Sequence, residues 1–170
     1  MRRLFILAFA ANVVLSLISL HVLPERVAIH FGADGTADGW GPNYANAVLM
    51  TGVQILLFCT LYFSTWLIRV LPVRWINLPH KDYWLSPANQ AQSLVTIQGF
   101  MWRFGTAMFW FLFIVNLLAI QANLAQPVRL NLKVFLPALG LLMVYSVWWT
   151  IVFFRAFRLP ALKVGSPTFR

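Results

Sequence analysis

The stretch LFILAFAANVVLSLISL, residues 4–20, is an apolar run of about the length that crosses a bilayer. A transmembrane helix needs about 20 mostly apolar residues to cross roughly 30 Å of hydrocarbon. Hydrophobic residues make up 61% of the 170-residue chain and charged residues 10%, too few to cover a water-soluble domain. We therefore predict an all-α integral membrane protein, with the lipid bilayer as an expected partner.

Three further apolar runs predict three more membrane spans in a single membrane domain, residues 1–170. The four transmembrane helices are expected at about residues 4–20, 45–71, 100–122 and 134–157. Pro72 ends the second run, and Pro137 is expected in the first turn of the fourth helix, where its missing N–H costs nothing. In the loop 73–99, Ser86-Pro87 is typical of a helix start, so a helix beginning there could continue into the third span.

Polar and aromatic side chains inside the spans have structural interpretations. Asn12, Gln54 and Asn116 are predicted to hydrogen-bond between helices. No Asp, Glu, Lys or Arg lies near the middle of a predicted span, which disfavours a transporter or pump. Aromatic residues fill the third and fourth spans, where we expect lipid-facing and packing roles. The alternative is a cradle for the tail of a lipid, a quinone or a pigment.

The distribution of basic residues predicts the orientation. Ten of them fall at one end of a four-span arrangement: Arg2, Arg3, Arg69, Arg74, Lys81, Arg103, Arg155, Arg158, Lys163 and Arg170. Three fall at the other end: Arg26, Arg129 and Lys133. By the positive-inside bias, both termini are expected in the cytoplasm and the protein in the inner membrane of a bacterium. The net charge of +9 is then explained by the membrane, and we expect no nucleic-acid partner.

The loop 21–44 carries the most informative sequence. Val27, Ile29 and Phe31 alternate with their neighbours, which is the period of a short strand with one apolar face. Two Asp-Gly pairs follow, Asp34-Gly35 and Asp38-Gly39, each a strong turn signal. Trp40 offers a large side chain to pack. We therefore expect an ordered external loop anchored by a buried tryptophan.

The same loop resembles a known bacterial membrane family, catalogued as domain of unknown function 1648. The resemblance covers about residues 1–70 and rests on these residues: Leu23-Pro24, Val27, His30-Phe31, Gly35, Asp38 and Trp40. A similar domain occurs in SdpI-type immunity proteins, which protect a cell from a membrane-active peptide. The resemblance implies a similar membrane fold and assigns the binding role to the motif positions: Pro24, His30, Phe31, Gly35, Asp38 and Trp40.

The functional prediction is a non-enzymatic membrane protein whose external loop binds an envelope partner, a peptide or a lipid. One alternative is an accessory subunit of a larger membrane complex. Another is a small metal-dependent enzyme, since the imidazole of His30 and the carboxylates of Asp34 and Asp38 are plausible metal ligands. The sequence contains no Gly-x-Ser-x-Gly motif, and we predict no catalytic residues and no cofactor.

The predicted orientation can be tested with a membrane-impermeant cysteine reagent on intact cells. A cysteine that replaces Ala33 should be labelled from outside, whereas one that replaces Ser86 should not. Labelling at Ser86 and protection at Ala33 would reverse the orientation.

Overall fold

The computed structural model describes residues 1–160. Its helices and strands follow the order α1 (Arg2–Val22), β1 (Arg26–Phe31), β2 (Ala37–Pro42), α2 (Asn43–Tyr62), α3 (Ser64–Val70), α4 (Lys81–Trp84), α5 (Gln90–Leu124) and α6 (Leu132–Ala156). Four of these helices, α1, α2, α5 and α6, are long and apolar enough to cross a membrane. The prediction of a helical membrane fold with four spans is confirmed, and the ordered loop between the first two spans contains a two-stranded sheet. Lys163 and Arg170, which entered the charge count, lie outside the described residues.

The second predicted helix, 45–71, is interrupted at Phe63. Its φ and ψ of −93° and 9° separate α2 from α3. Next to the break, the Gln98 side chain of α5 donates from Nε2 to the Leu61 carbonyl at 3.2 Å, and Ser64 Oγ donates to the same oxygen at 2.9 Å. A side chain that inserts into the hydrogen-bond ladder is a recognised cause of helix breaks. The expectation of one continuous helix was therefore wrong at this point.

The third span is longer than the predicted 100–122. Helix α5 has 35 residues and begins at Gln90, so the cytoplasmic loop predicted at 73–99 is shorter than expected. The Ser86-Pro87 signal is placed correctly near the start of this helix, although Ser86 Oγ donates to the Tyr83 carbonyl instead of capping α5. The Gln90 N–H donates to the Ser86 carbonyl at 2.9 Å, which joins the preceding turn to the helix.

Pro137 lies deeper in the fourth helix than expected. Because α6 begins at Leu132, Pro137 is its sixth residue and lies beyond the first turn. A proline has no N–H, so the Lys133 carbonyl one turn earlier loses its helical partner. The prediction that Pro137 marks the helix start, without cost, was wrong.

Helix α1 packs against both α2 and α5. Near its N-terminus, Phe5 and Ala8 form a buried cluster with Leu61 and Phe109. Toward its middle, polar side chains replace apolar ones, and the predicted interhelical hydrogen bonds are confirmed. Asn12 Nδ2 donates to the Phe109 carbonyl at 2.8 Å, and Gln54 Nε2 donates to Asn12 Oδ1 at 3.1 Å. One turn further along α1, Ser16 Oγ accepts a 3.3 Å hydrogen bond from Asn116 Nδ2.

Helix α6 is peripheral. It contacts α5 through aromatic residues, such as the edge-to-face pair of Phe100 and Trp149, and Trp149 Nε1 donates to the Phe100 carbonyl at 3.1 Å. Just beyond the helix, the Phe157 carbonyl accepts a 2.8 Å hydrogen bond from Trp84 Nε1. Within the described part of the chain, Leu142 is the one residue of α6 that is buried. The remaining surface of α6 therefore faces lipid or a partner.

Gly105 offers a sharp test of this packing. A Cβ added there would overlap the Phe5 ring and lie 2.8 Å from Leu61 Cδ1, so α1, α2 and α5 approach closely at this point. We expect Gly105→Ala to destabilise the protein by about 1–3 kcal/mol, the typical cost of overpacking. Thermal unfolding in detergent measures the change.

Gly99→Ala is the matched control, since it lies in the same helix and a Cβ there meets nothing within 4 Å. Alanine is the better helix former by up to about 1 kcal/mol, so this variant should be neutral or stabilised. Equal melting temperatures for the two variants would contradict the close approach of the helices.

Candidate functional site

The segment between α1 and α2 forms a β-hairpin. Strands β1 and β2 are antiparallel, with Val27 opposite Gly41 and Ala28 opposite Trp40. The register then shifts on either side of His30, as in a β-bulge. At this irregularity, buried and exposed side chains do not alternate as predicted. Val27 and Ala28 are both buried, whereas Ile29 is 40% exposed. The strand was predicted correctly, but its single apolar face was not.

The hairpin is attached to the end of α5 by the side chain of Asn123. The Ala28 N–H donates to Asn123 Oδ1 at 2.6 Å, and Asn123 Nδ2 donates back to the Ala28 carbonyl at 3.1 Å. The amide therefore pairs with the backbone of β1 as a neighbouring strand would. Beside it, Val27 is fully buried against Leu23 and Ile120.

The turn of the hairpin is supported by the connection between α5 and α6. The Leu130 N–H donates to the Gly35 carbonyl at 2.8 Å, and Arg129 Nη2 donates to the Asp34 carbonyl at 2.9 Å. Gly35 has a φ of +83°, and a Cβ there would lie 2.8 Å from the Leu130 carbonyl oxygen. Glycine is required at this position both for its backbone conformation and for this close contact.

Asp34 stabilises the turn through its side chain. Its Oδ1 accepts hydrogen bonds from Thr36 Oγ1 at 2.7 Å and from the Thr36 N–H at 3.1 Å. The side-chain hydrogen bond from Thr36, followed by the backbone one, lowers the pKa of Asp34 below 3.8. Because the folded pKa is lowered, the carboxylate supports the turn above pH 3.8 and loses this role only as the pH falls through the lowered value.

We use the term outer face for the exposed side chains of the hairpin, His30, Asp38 and Trp40. His30 Nδ1 lies 2.5 Å from Asp38 Oδ1, and the two side chains are 72% and 52% exposed. Asp38 lies at the shift in register of β2, and Trp40 follows two residues later, opposite Ala28. Trp40 is 45% exposed, so the expectation of a buried tryptophan anchor was wrong. An exposed pair such as His30–Asp38 contributes little to stability. Because both side chains are exposed, their polar atoms are accessible at the surface.

The remaining motif residues have structural roles or lie apart from this face. Pro24 is exposed directly after α1, Phe31 is half-buried at the end of β1, and Gly35 is buried in the turn. Within residues 1–160, no three His, Cys, Asp or Glu side chains are grouped as metal ligands. The metal site at His30, Asp34 and Asp38 thus stays a prediction. In the structure, the side chain of His30 pairs with Asp38, whereas that of Asp34 is directed toward Thr36.

Sequence reasoning missed Asn123 and the Leu130 segment, although together they hold the hairpin in place. A signal for Asn123 was available, because a polar amide in the last turn of an apolar helix needs a partner at the membrane surface. Leu130 holds the turn through its backbone N–H, and the pattern of side chains in a sequence gives no sign of such a bond.

Comparison with known proteins identifies one family. Residues 7–55 match the family described as Domain of unknown function (DUF1648). The matched segment contains most of α1, the whole hairpin and about the first two thirds of α2, so it includes all of the proposed binding residues. The predicted resemblance is confirmed for this segment. No curated protein and no solved structure matches the chain.

Removing the Asn123 amide should loosen the hairpin. Asn123→Ala deletes both hydrogen bonds to Ala28, each worth about 0.5–1.5 kcal/mol. We expect hydrogen–deuterium exchange at residues 26–31 to accelerate about tenfold, which corresponds to roughly 1.4 kcal/mol of lost local stability.

Gln121→Ala serves as the control, because Gln121 is an exposed amide two residues away on the same helix. This variant should leave exchange in the hairpin unchanged. Unchanged protection in Asn123→Ala would show that other contacts hold β1 in place.

Proposed function

We propose that this chain is a non-enzymatic membrane binding module, and that the outer face of its hairpin recognises a protein or peptide at the membrane surface. One observation carries the proposal: hydrogen bonds from Asn123 and Leu130 hold the hairpin on the helices, yet His30, Asp38 and Trp40 are exposed. Their exposure leaves these side chains accessible to a ligand.

Rigid support favours recognition. Binding by a mobile loop loses free energy when the loop becomes ordered, and a preorganised loop avoids most of that cost. Here Asn123 holds one strand and the Leu130 segment holds the turn. A scaffold that fixes an exposed loop in this way is the usual arrangement in binding proteins.

The outer face combines the chemical groups that a peptide requires. Trp40 provides a large apolar surface and an indole N–H, a side-chain type enriched at the centres of interfaces. The His30–Asp38 pair adds a carboxylate acceptor and an imidazole next to it. A ligand with both an apolar side chain and backbone or basic donors would satisfy all three residues.

The proposed location follows from charge and from the family resemblance. The hairpin faces the outside of a bacterial inner membrane and both termini face the cytoplasm, as the bias of basic residues predicts. In its most specific form, the module senses or confers immunity to a membrane-active peptide, as the resemblance to SdpI-type proteins implies.

An accessory subunit of a larger membrane complex is the second candidate, and the surface of α6 favours it. Val144 and Leu141 are 69% and 72% exposed on a helix that contacts α5 along one side. A partner helix could cover this surface. A small metal-dependent enzyme has less support, because the described residues bring no third ligand to His30 and Asp38.

Site-specific photocrosslinking in native membranes distinguishes these candidates. A photoreactive residue at position 40 should capture a discrete protein or peptide, identified by mass spectrometry. Adding His30→Ala or Asp38→Asn should reduce that product while melting in detergent changes little, since exposed substitutions usually alter stability by about 0.5 kcal/mol or less.

Two further positions serve as controls. Val48 is exposed on α2 and should give lipid adducts alone. A protein product at Val144, with none at position 40, would favour the accessory subunit. The same products at positions 40 and 48 would contradict recognition by the hairpin.

A further inference from the structure

A groove runs between α5 and α6, and the residues that line it all belong to these two helices. Its volume is about 700 Å³, and aromatic and aliphatic side chains line it. We propose that this groove binds an anionic glycerophospholipid, with an acyl chain along the groove and the phosphate at Lys133. This inference goes beyond the proposed recognition by the hairpin and does not depend on it.

The groove exists because small residues separate two aromatic contacts between the helices. Near one end, the Phe111 and Phe135 rings lie 6.4 Å apart, and near the other, Phe104 and Trp149 lie 5.0 Å apart. Ala107 of α5 and Ala138 of α6 line the groove, and their small side chains leave space there. On α6 the lining extends from Lys133 to Tyr145.

The length of the groove is similar to the hydrocarbon thickness of one leaflet of the bilayer. Lys133 and Tyr145 line the two ends of the groove on α6. They are twelve residues apart in the sequence, which corresponds to about 18 Å along a helix. Half of a hydrocarbon core of roughly 30 Å is about 15 Å. A single acyl chain of the nearer leaflet would thus occupy the groove from the headgroup region toward the bilayer midplane.

The end of the groove at Lys133 supplies groups that suit a headgroup. Lys133 is exposed, and within the described residues its ammonium group makes no hydrogen bond or ion pair. Pro137, which also lines the groove, leaves the Lys133 carbonyl without a helical donor. A phosphate would pair with the ammonium group, and a headgroup hydroxyl or amine would donate to the carbonyl oxygen.

Charge complementarity favours an anionic lipid over a neutral one. The first turn of α6 lies at the level where headgroups are expected, because the preceding connection contacts the hairpin. A basic side chain near an anionic membrane surface contributes about 1 kcal/mol of attraction. The lipid source is the surrounding bilayer, since the groove opens sideways between two membrane-spanning helices.

Native mass spectrometry of the full chain tests this proposal. The protein in detergent is titrated with phosphatidylglycerol or with phosphatidylcholine of the same acyl chains. We expect retention of phosphatidylglycerol to exceed that of phosphatidylcholine, and Lys133→Gln to weaken phosphatidylglycerol binding about fivefold. Arg26→Gln, which removes a basic residue at the same end but outside the groove, should leave it nearly unchanged.

A second pair of variants tests the groove itself. Ala138→Leu should reduce retention of both lipids by filling the space. Gly140→Leu adds the same side chain where a Cβ meets nothing within 4 Å, and it should have no effect. Equal retention of the two lipids, or equal losses in Lys133→Gln and Arg26→Gln, would overturn the specific site. A dimer that Ala138→Leu disrupts, in place of lipid loss, would also overturn the proposal and assign the groove to a second copy.

Discussion

The structure depends on one constraint: polar groups inside a bilayer must find partners inside the protein, because lipid offers none. Asn12 meets this constraint for three helices at once. It lies in the middle of α1, donates to a carbonyl of α5 and accepts from Gln54 of α2. Lipid provides no hydrophobic driving force for helix association, so packing and such hydrogen bonds determine which helices meet. The close approach at Gly105 then brings the backbones near enough for these bonds to form.

Helix α5 organises the rest of the molecule through one face. Its key contacts are made by residues separated by seven or four positions, a spacing that keeps them on one side of a helix. These residues are Gln98 at the α2–α3 break, Gly105 and Phe109 at the helix crossing, Asn116 at Ser16, and Asn123 at the hairpin. The same face that assembles the membrane helices therefore also positions the hairpin. This is why the candidate site is rigid although it lies in a connection between helices.

The sequence predicted the spans, the interhelical roles of Asn12, Gln54 and Asn116, and the strand and the Asp34-Gly35 turn of the loop, because each of these has a local cause. Apolar length, isolated polar residues and a turn sequence act through their immediate neighbours. The second predicted turn, Asp38-Gly39, was wrong, because these residues lie within β2, which pairs with β1. The errors arose where the cause is distant. The helix breaks at Phe63, next to the Leu61 carbonyl that accepts a hydrogen bond from Gln98 of α5, and the exposure of Trp40 depends on where the hairpin lies. The bulge at Ile29 is likewise imposed by pairing with a second strand, and no pattern within β1 reports it.

The two surfaces that we assign to ligands are joined by a short hydrogen-bonded segment. Leu130 bonds to Gly35 in the hairpin turn, and Lys133 follows three residues later at the start of α6. The two backbones are close at this point, since a Cβ added to Gly35 would lie 2.8 Å from the Leu130 carbonyl oxygen. A ligand that moved the first turn of α6 would therefore move the hairpin turn with it.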